Sequence, residues 1–480
     1  MICICICIIS PNSYSQTSIA SGSWTTASIW STGVVPAAGA NVIIATGHTV
    51  NVNTNTAVMG NVTVQTGAVL TVNAAVGSTL SYAGDMTVAG RLNNFGGIDQ
   101  TSTNQLKAFQ LTGTGTYEHN PINNTAQDER IFSRSNETFS PTSTLIIKKW
   151  FDLNLPLGDA TRVTGNFGNV ILNTADLLNW EQYDEFMNST TGLQRVFGKL
   201  TVSSGIIRMC DGSSGGTGSN YMEFEDVEIN GTGSIIFAAG QPRAFTLVTN
   251  NFTDISTSNN TTVVMDSVYN IFNWTVNGNL VLGHNFRGMR GVFYNSSASV
   301  YMTLNVNGNM TIQGNTLTDI RLVSGVNAPL TVNVTGITTI GNTSVAGAPA
   351  VVRFVDGCSG NFTFNTLDLI ISGGVDNTFM GGNALIPAYT GQPSMTINRD
   401  LIVNGTSNTT FLNSSTNTKK LRLRVVDDFV VTGANSNITL ARSKGDLTLA
   451  VGDSLFMSAG KFIGQFDTLN TSIDSVLTGS

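Results

Sequence analysis

The chain has 480 residues, a formal net charge of -7 and only 11% charged residues, under half the roughly 25% of an ordinary soluble domain. Its 41% hydrophobic residues exclude a disordered tail. The acidic balance argues against nucleic acid, whose phosphates demand positive patches. Lys and Arg never run beyond the pairs Lys148-Lys149 and Lys419-Lys420, and three His (His48, His119, His284) are too few for a histidine metal cluster. No metal and no cofactor is expected.

The first segment, residues 1–15, opens with MICICICIIS and reaches Ser13-Tyr14-Ser15. An apolar run followed by a small-x-small pattern reads as a signal peptide, with an alternating Ile/Cys strand as the other reading. No later stretch approaches 18 apolar residues, so no helix is expected to span a membrane. Residues 16–53 form a candidate capping module. Trp24 and Trp30 are bulky enough to close the open apolar end of a first rung, and sugar stacking is the alternative role for them. His48 falls at a turn and reads as structural.

Trp24, Trp30, Gly33, Val35-Pro36, Gly39, Val42, Gly47-His48 and Val50 carry a resemblance. This opening is similar to that of large secreted β-helix surface proteins of Bacteroidetes-type bacteria, in which a tryptophan-rich stretch precedes a VP-x-x-G run and then a β-helix. The resemblance implies export to the cell surface or beyond. Relatives of that kind often end in a sorting domain, which the closing FDTLNTSIDSVLTGS does not resemble.

Residues 54–480 repeat the unit apolar-x-Gly-Asn/Asp-apolar-x-apolar. It occurs around Asn61, Asp85, Asn169, Lys199, Asp226, Asn279, Asn309, Asp400 and Asp428, with weaker copies near Ile337 and Asp368. Successive anchors lie 24 to 32 residues apart, as in Asn61 to Asp85 and Asp368 to Asp400. That period fits one solenoid turn of three short strands and three corners. Gly supplies positive φ at corners, Asn and Asp bond their own backbone there, and Thr and Val suit pleated strands. The expected fold is all-β, a right-handed parallel β-helix of about fifteen rungs. Leu280 should then stack on Met310 and Leu282 on Ile312, with Val281 and Thr311 facing outward. Only TADLLNWEQYDEFM, residues 174–187, looks helical.

Cys210 and Cys358 lie 148 residues apart, about five rungs and so too far to pair. There are nineteen Asn-x-Ser/Thr sequons. Asn61, Asn136, Asn188, Asn230, Asn251, Asn273, Asn309, Asn333, Asn361, Asn404 and Asn437 are candidate N-glycosylation sites, with corner hydrogen bonding as the competing role. A glycosidase needs two carboxylates across a groove. Asp427 with Asp428 point apart on a strand, Asp184 with Glu185 fall in the helix-like stretch, and only Asp226 with Glu228 share a face. Arg422 and Arg424 near Asp427 are the one hint of a lyase, and corner Asp residues could hold calcium, though no dense calcium motif is present.

These readings point to a secreted, non-enzymatic structural protein, with no catalytic residue assigned. It would partner itself head to tail as a filament subunit, because SLFMSAG and KFIGQF end at Phe466 with no evident plug behind them. The alternatives are an adhesin stalk binding matrix or glycans, and a polysaccharide lyase or hydrolase on a β-helix scaffold.

Overall fold

The computed structural model describes residues 14–74, 77–101, 108–122, 138–149, 166–174, 193–208, 220–239, 245–257, 262–266, 271–283, 285–290, 301–314, 319–324, 329–342, 350–356, 361–373, 375–382, 392–414, 420–443, 446–463 and 476–478. The chain divides into two compact units. One comprises Met1–Asp176 with Val196–Gly198, the other Leu177–Arg195 with Lys199–Ser480. Both are parallel β-solenoids. The helix-like stretch beyond Thr174, the Ile/Cys string, Cys210 and Cys358 lie outside the described residues.

In the first unit, Ser15–Thr17 pairs in parallel with Asn41–Ile44, which pairs with Val62–Val64 and so on to Thr138–Phe139, a face of six strands. A second ladder runs from Gly22–Ser23 through Thr49–Val52, Val69–Val72, Arg91–Asn94 and Thr116–His119 to Asn169–Asn173. Alternation explains which side is core: Val42 and Ile44 point in and stack on Val62 and Val64, the period-2 geometry of a strand. Gly22–Ser23, Asn41–Ile44 and Thr49–Val52, all within residues 16–53, where a capping module is expected, are among the first strands of these ladders.

The second unit has three faces. The first runs through Phe272–Val276, Met302–Val306, Leu330–Val334, Phe362–Thr366, Ser394–Ile397, Lys420–Val425 and Asp446–Val451. The second runs from Leu280–Leu282 through Met310–Gly314 and Thr338–Asn342 to Leu455–Met457 and Val476–Thr478. Both grow from one long strand, Phe245–Asp254, whose two halves pair with the two faces. The third face has ten strands, Ile206–Arg208 to Lys461–Ile463. The parallel β-solenoid expected from the repeat is the fold found; among the described residues its faces reach six strands in the first unit and ten in the second, a count that differs from the expected fifteen or so rungs. Val476–Thr478 adds a strand after Phe466, where the strand-like segments were expected to stop. Leu280 lies opposite Met310 and Leu282 opposite Ile312; all four are buried, while Val281 and Thr311 are the half-exposed outward residues between them.

The repeat's Gly-Asn dipeptide has a physical cause. At corner after corner, the side-chain oxygen of an Asn or Asp accepts the backbone N–H of the residue one turn on. Asn41 accepts from Asn61 at 2.8 Å and Asn61 from Asp85 at 2.8 Å. In the second unit Asn251 accepts from Asn279, Asn279 from Asn309, and Asn309 from Ile337, each at 2.9 Å. The oxygen lies over the α-carbon of the preceding glycine: a Cβ on Gly84 would fall 2.1 Å from Asn61 Oδ1 and one on Gly336 2.4 Å from Asn309 Oδ1. Where Arg399 or Asp427 replaces glycine the ladder continues, from Asp368 to Asp400 and Asp400 to Asp428, but each bond lengthens to 3.2 Å. Ile337 takes a bond and has no side-chain oxygen to offer, so that run of the ladder ends there.

Candidate functional surface

The faces of the second unit differ in chemistry. On the first, the outward residues form two columns in register. Thr303, Thr331 and Thr363 make one, and Asn305, Asn333 and Asn365 the other. Asn273 with Thr275 precede them and Ser394 with Thr396 follow. The amides are tied along the column: Asn333 Nδ2 donates to Asn305 Oδ1 and Asn365 Nδ2 to Asn333 Oδ1, both at 2.9 Å. On the second face, the outward column becomes apolar through Ile370, Ile402 and Val430 to Phe456.

Charge gathers on the third face. Arg287, Arg321 and Arg353 stand on successive strands in register. Asp319 receives Arg287 Nη2 at 2.9 Å and Arg321 Nη2 at 2.6 Å, and Asp356 bonds Arg321 and Arg353. Arg321 and Arg287 hold the Asp319 carboxyl below its ordinary range, while burial pushes the Arg287 guanidinium down. Arginine's planar fork suits such bridging, and the result is a ladder linking rungs. Sequence reasoning missed it, since Arg321 and Asp356 lie 35 residues apart and their strands lack the corner signature.

Buried ionisable groups occur in each unit. In the first, Glu118 is buried and bridges Arg91 at 2.6 Å and Lys148 at 2.7 Å. Beside it, His119 is fully buried with Nδ1 2.9 Å from Tyr117 Oη, and burial pushes its pKa down to about 3. In the second, Asp254 stands in the inward column between Ile229 and Leu282. Burial raises its pKa to about 7 against smaller hydrogen-bond effects of Thr262 and Ser256.

The residues singled out from sequence are placed as follows. Trp24 and Trp30 are buried, edge to face at 5.0 Å, with Trp30 Nε1 donating to Trp24 O at 2.9 Å. Neither ring is left open for a sugar to stack on, which corrects that alternative. His48 Nδ1 lies 3.0 Å from the buried Ser18 Oγ, whose other contact is Ala45 N–H at 2.8 Å, at a turn where Gly47 has φ 80°. Asp226 Oδ1 accepts from Asn251 N–H and Nδ2, and Glu228 is held by Lys199 and Asn230. The Lys199 hydrogen bond keeps the Glu228 carboxyl below its ordinary range, opposite to what a general acid needs. Arg422 and Arg424 are exposed on Lys420–Val425, and Asp428 accepts from Ser454 N–H at 3.1 Å.

Among the sequons, Asn61 and Asn309 are exposed and spend only their oxygen on the corner ladder. Asn230, Asn251, Asn333 and Asn437 use Nδ2 as a donor. Asn273, Asn361 and Asn404 are half-buried, while Asn136, Asn188 and His284 lie outside the described residues. Among the described residues no group of three or more His, Cys, Asp or Glu could hold a metal ion, and no helix is long and apolar enough to cross a membrane.

Stacked parallel rungs, tied by corner amides, define a β-solenoid whose chemistry lies on repeating outer faces. Residues 29–134 match the model of the G8 domain, a stretch that takes in Trp30, the glycine-rich opening and most of the first unit's strands. No curated protein and no solved structure matches the chain. The G8 match and the solenoid together fit an extracellular-type protein.

Proposed function

We propose that this is a secreted, non-enzymatic structural protein, a fibre subunit or the stalk of an adhesin, whose stacked faces are its working surface. The corner ladder supports this reading. The corner carboxylates Asp226, Asp368, Asp400 and Asp428 each accept a backbone N–H from the next turn. Asp368 is also bridged by Arg399. Groups spent on extending a stack fit a molecule that works by repetition. The resemblance to Bacteroidetes-type surface proteins and the G8 match support export. The partners would be further copies of the chain or matrix glycans, Trp24 and Trp30 would act as the cap, and Asn61 and Asn309 are the sequons best presented for a sugar.

Electron microscopy of the purified chain tests the reading. Filaments with an axial repeat of one molecule support the fibre; single particles that adhere to glycan-coated surfaces support the stalk, and single inert particles remove both. Pectin, alginate and chitin should remain uncut, and depolymerisation abolished by Asp226→Asn would overturn the non-enzymatic assignment.

A further inference from the structure

We propose that the first face of the second unit binds ice. Its central rungs repeat one pair of outward residues, Thr303 with Asn305, Thr331 with Asn333 and Thr363 with Asn365, in unbroken register. Packing of the core sets the inward residues, and rung-to-rung bonds account for the amide column; it is the threonine column matched to it that calls for another cause. Rungs stand ~4.8 Å apart, and residues two apart on a strand are separated by about 6.6 Å. The result is a rectangular grid of hydroxyl and amide groups close to the oxygen repeats on a prism plane of hexagonal ice.

The grid is also stiff and neutral. Threonine's branched side chain has few χ1 rotamers, and the column of amides is held by two bonds of 2.9 Å. First-shell waters on such an array can be ordered at small entropic cost. No outward residue from Asn273 to Thr396 on these strands is charged, and the neutral stretch ends at Arg422 and Arg424 on the strand that follows; Arg287, Asp319, Arg321, Arg353 and Asp356 crowd the third face. Charged side chains would impose their own hydration on the water layer. A glycan platform is less well matched, because these outward positions include no aromatic ring for a sugar to stack against.

The test is partition of the purified full chain into a slowly growing ice shell, with inhibition of ice recrystallisation as a second readout. The chain should enrich in ice and keep crystals small. Thr331→Tyr and, separately, Asn333→Lys should lower both to the level of a non-binding protein, while Thr311→Lys on the second face leaves both unchanged. Circular dichroism shows whether each variant keeps its β fold, and the two face variants guard against one failing to fold. Absence of enrichment in ice overturns the proposal. So does equal loss in Thr311→Lys, or retention on insoluble polysaccharide that the first-face variants abolish without any ice activity. Filament or stalk behaviour in the microscope is independent of each of these outcomes.

Discussion

Gly308 has the preceding turn's backbone where a side chain would be. A Cβ there would lie 2.5 Å from Gly278 O and 2.7 Å from Asn279 Oδ1, closer than carbon and oxygen approach. Gly308→Ala should destabilise the fold by about 1–3 kcal/mol, the usual cost of overpacking. Asn279→Ala removes the acceptor for Asn309 N–H at a corner that water reaches, a loss of about 1 kcal/mol. The two changes should not add. With Asn279 Oδ1 gone, the alanine at 308 meets one obstruction fewer, so the double variant should cost less than the sum. Urea unfolding of the three variants measures this, and strict additivity would mean that the oxygen does not govern the glycine. The dipeptide itself was legible in the sequence. Its cause was not, because the atom that excludes a Cβ belongs to a residue one turn away.

At the scale of the strand, alternation predicted the faces of Leu280–Leu282 and Met310–Gly314, and the register bears it out. Leu282→Asp would set an unpaired carboxylate in the stack, a cost of several kcal/mol, on the order of the buried-polar penalty or more. Thr311→Asp on the outward side should cost roughly 0.5 kcal/mol or less. Thermal unfolding separates them, and equal damage would contradict the face assignment. The first two faces were legible because a recurring corner joins a strand of the first to a strand of the second, as Gly278-Asn279 joins Phe272–Val276 to Leu280–Leu282. The third face was not, because its strands follow connections of varying length and no recurring corner marks them, although Arg287, Arg321 and Arg353 do sit at outward positions between buried residues. Arg287, Arg321 and Arg353 read as unrelated charges until pairing places them on successive rungs. The amide column of Asn305, Asn333 and Asn365 was equally hidden as a surface, although each residue lies in a recognised repeat.

At the scale of the molecule, the two units should respond to pH in opposite directions. His119 belongs to the first unit, and its pKa falls from 6.5 to about 3 through burial. The unfolded chain takes up a proton below pH 6.5 that the folded unit refuses, so this stability is present above 6.5 and lost as pH falls towards 3. Asp254 belongs to the second unit, and burial raises its pKa from 3.8 to about 7. Here the folded unit holds a proton that the unfolded chain releases above pH 3.8. That contribution is full below 3.8 and is lost as pH rises through 7. The lowered carboxyls of Asp319 and Asp368 oppose it only below their ordinary value of 3.8. The lowered Glu228 carboxyl opposes it only below 4.5, so between pH 4.5 and 6.5 both windows are open, and acidification should lower the melting temperature of the first unit and raise that of the second. Asp254→Asn keeps a neutral group of the same shape and should flatten the second unit's slope, as His119→Gln should flatten the first's. Calorimetry across that range, with each variant assigning its transition, decides the matter. If both transitions move in the same direction, either the histidine or the aspartate is not buried in the state described, and the variant whose slope fails to flatten identifies which.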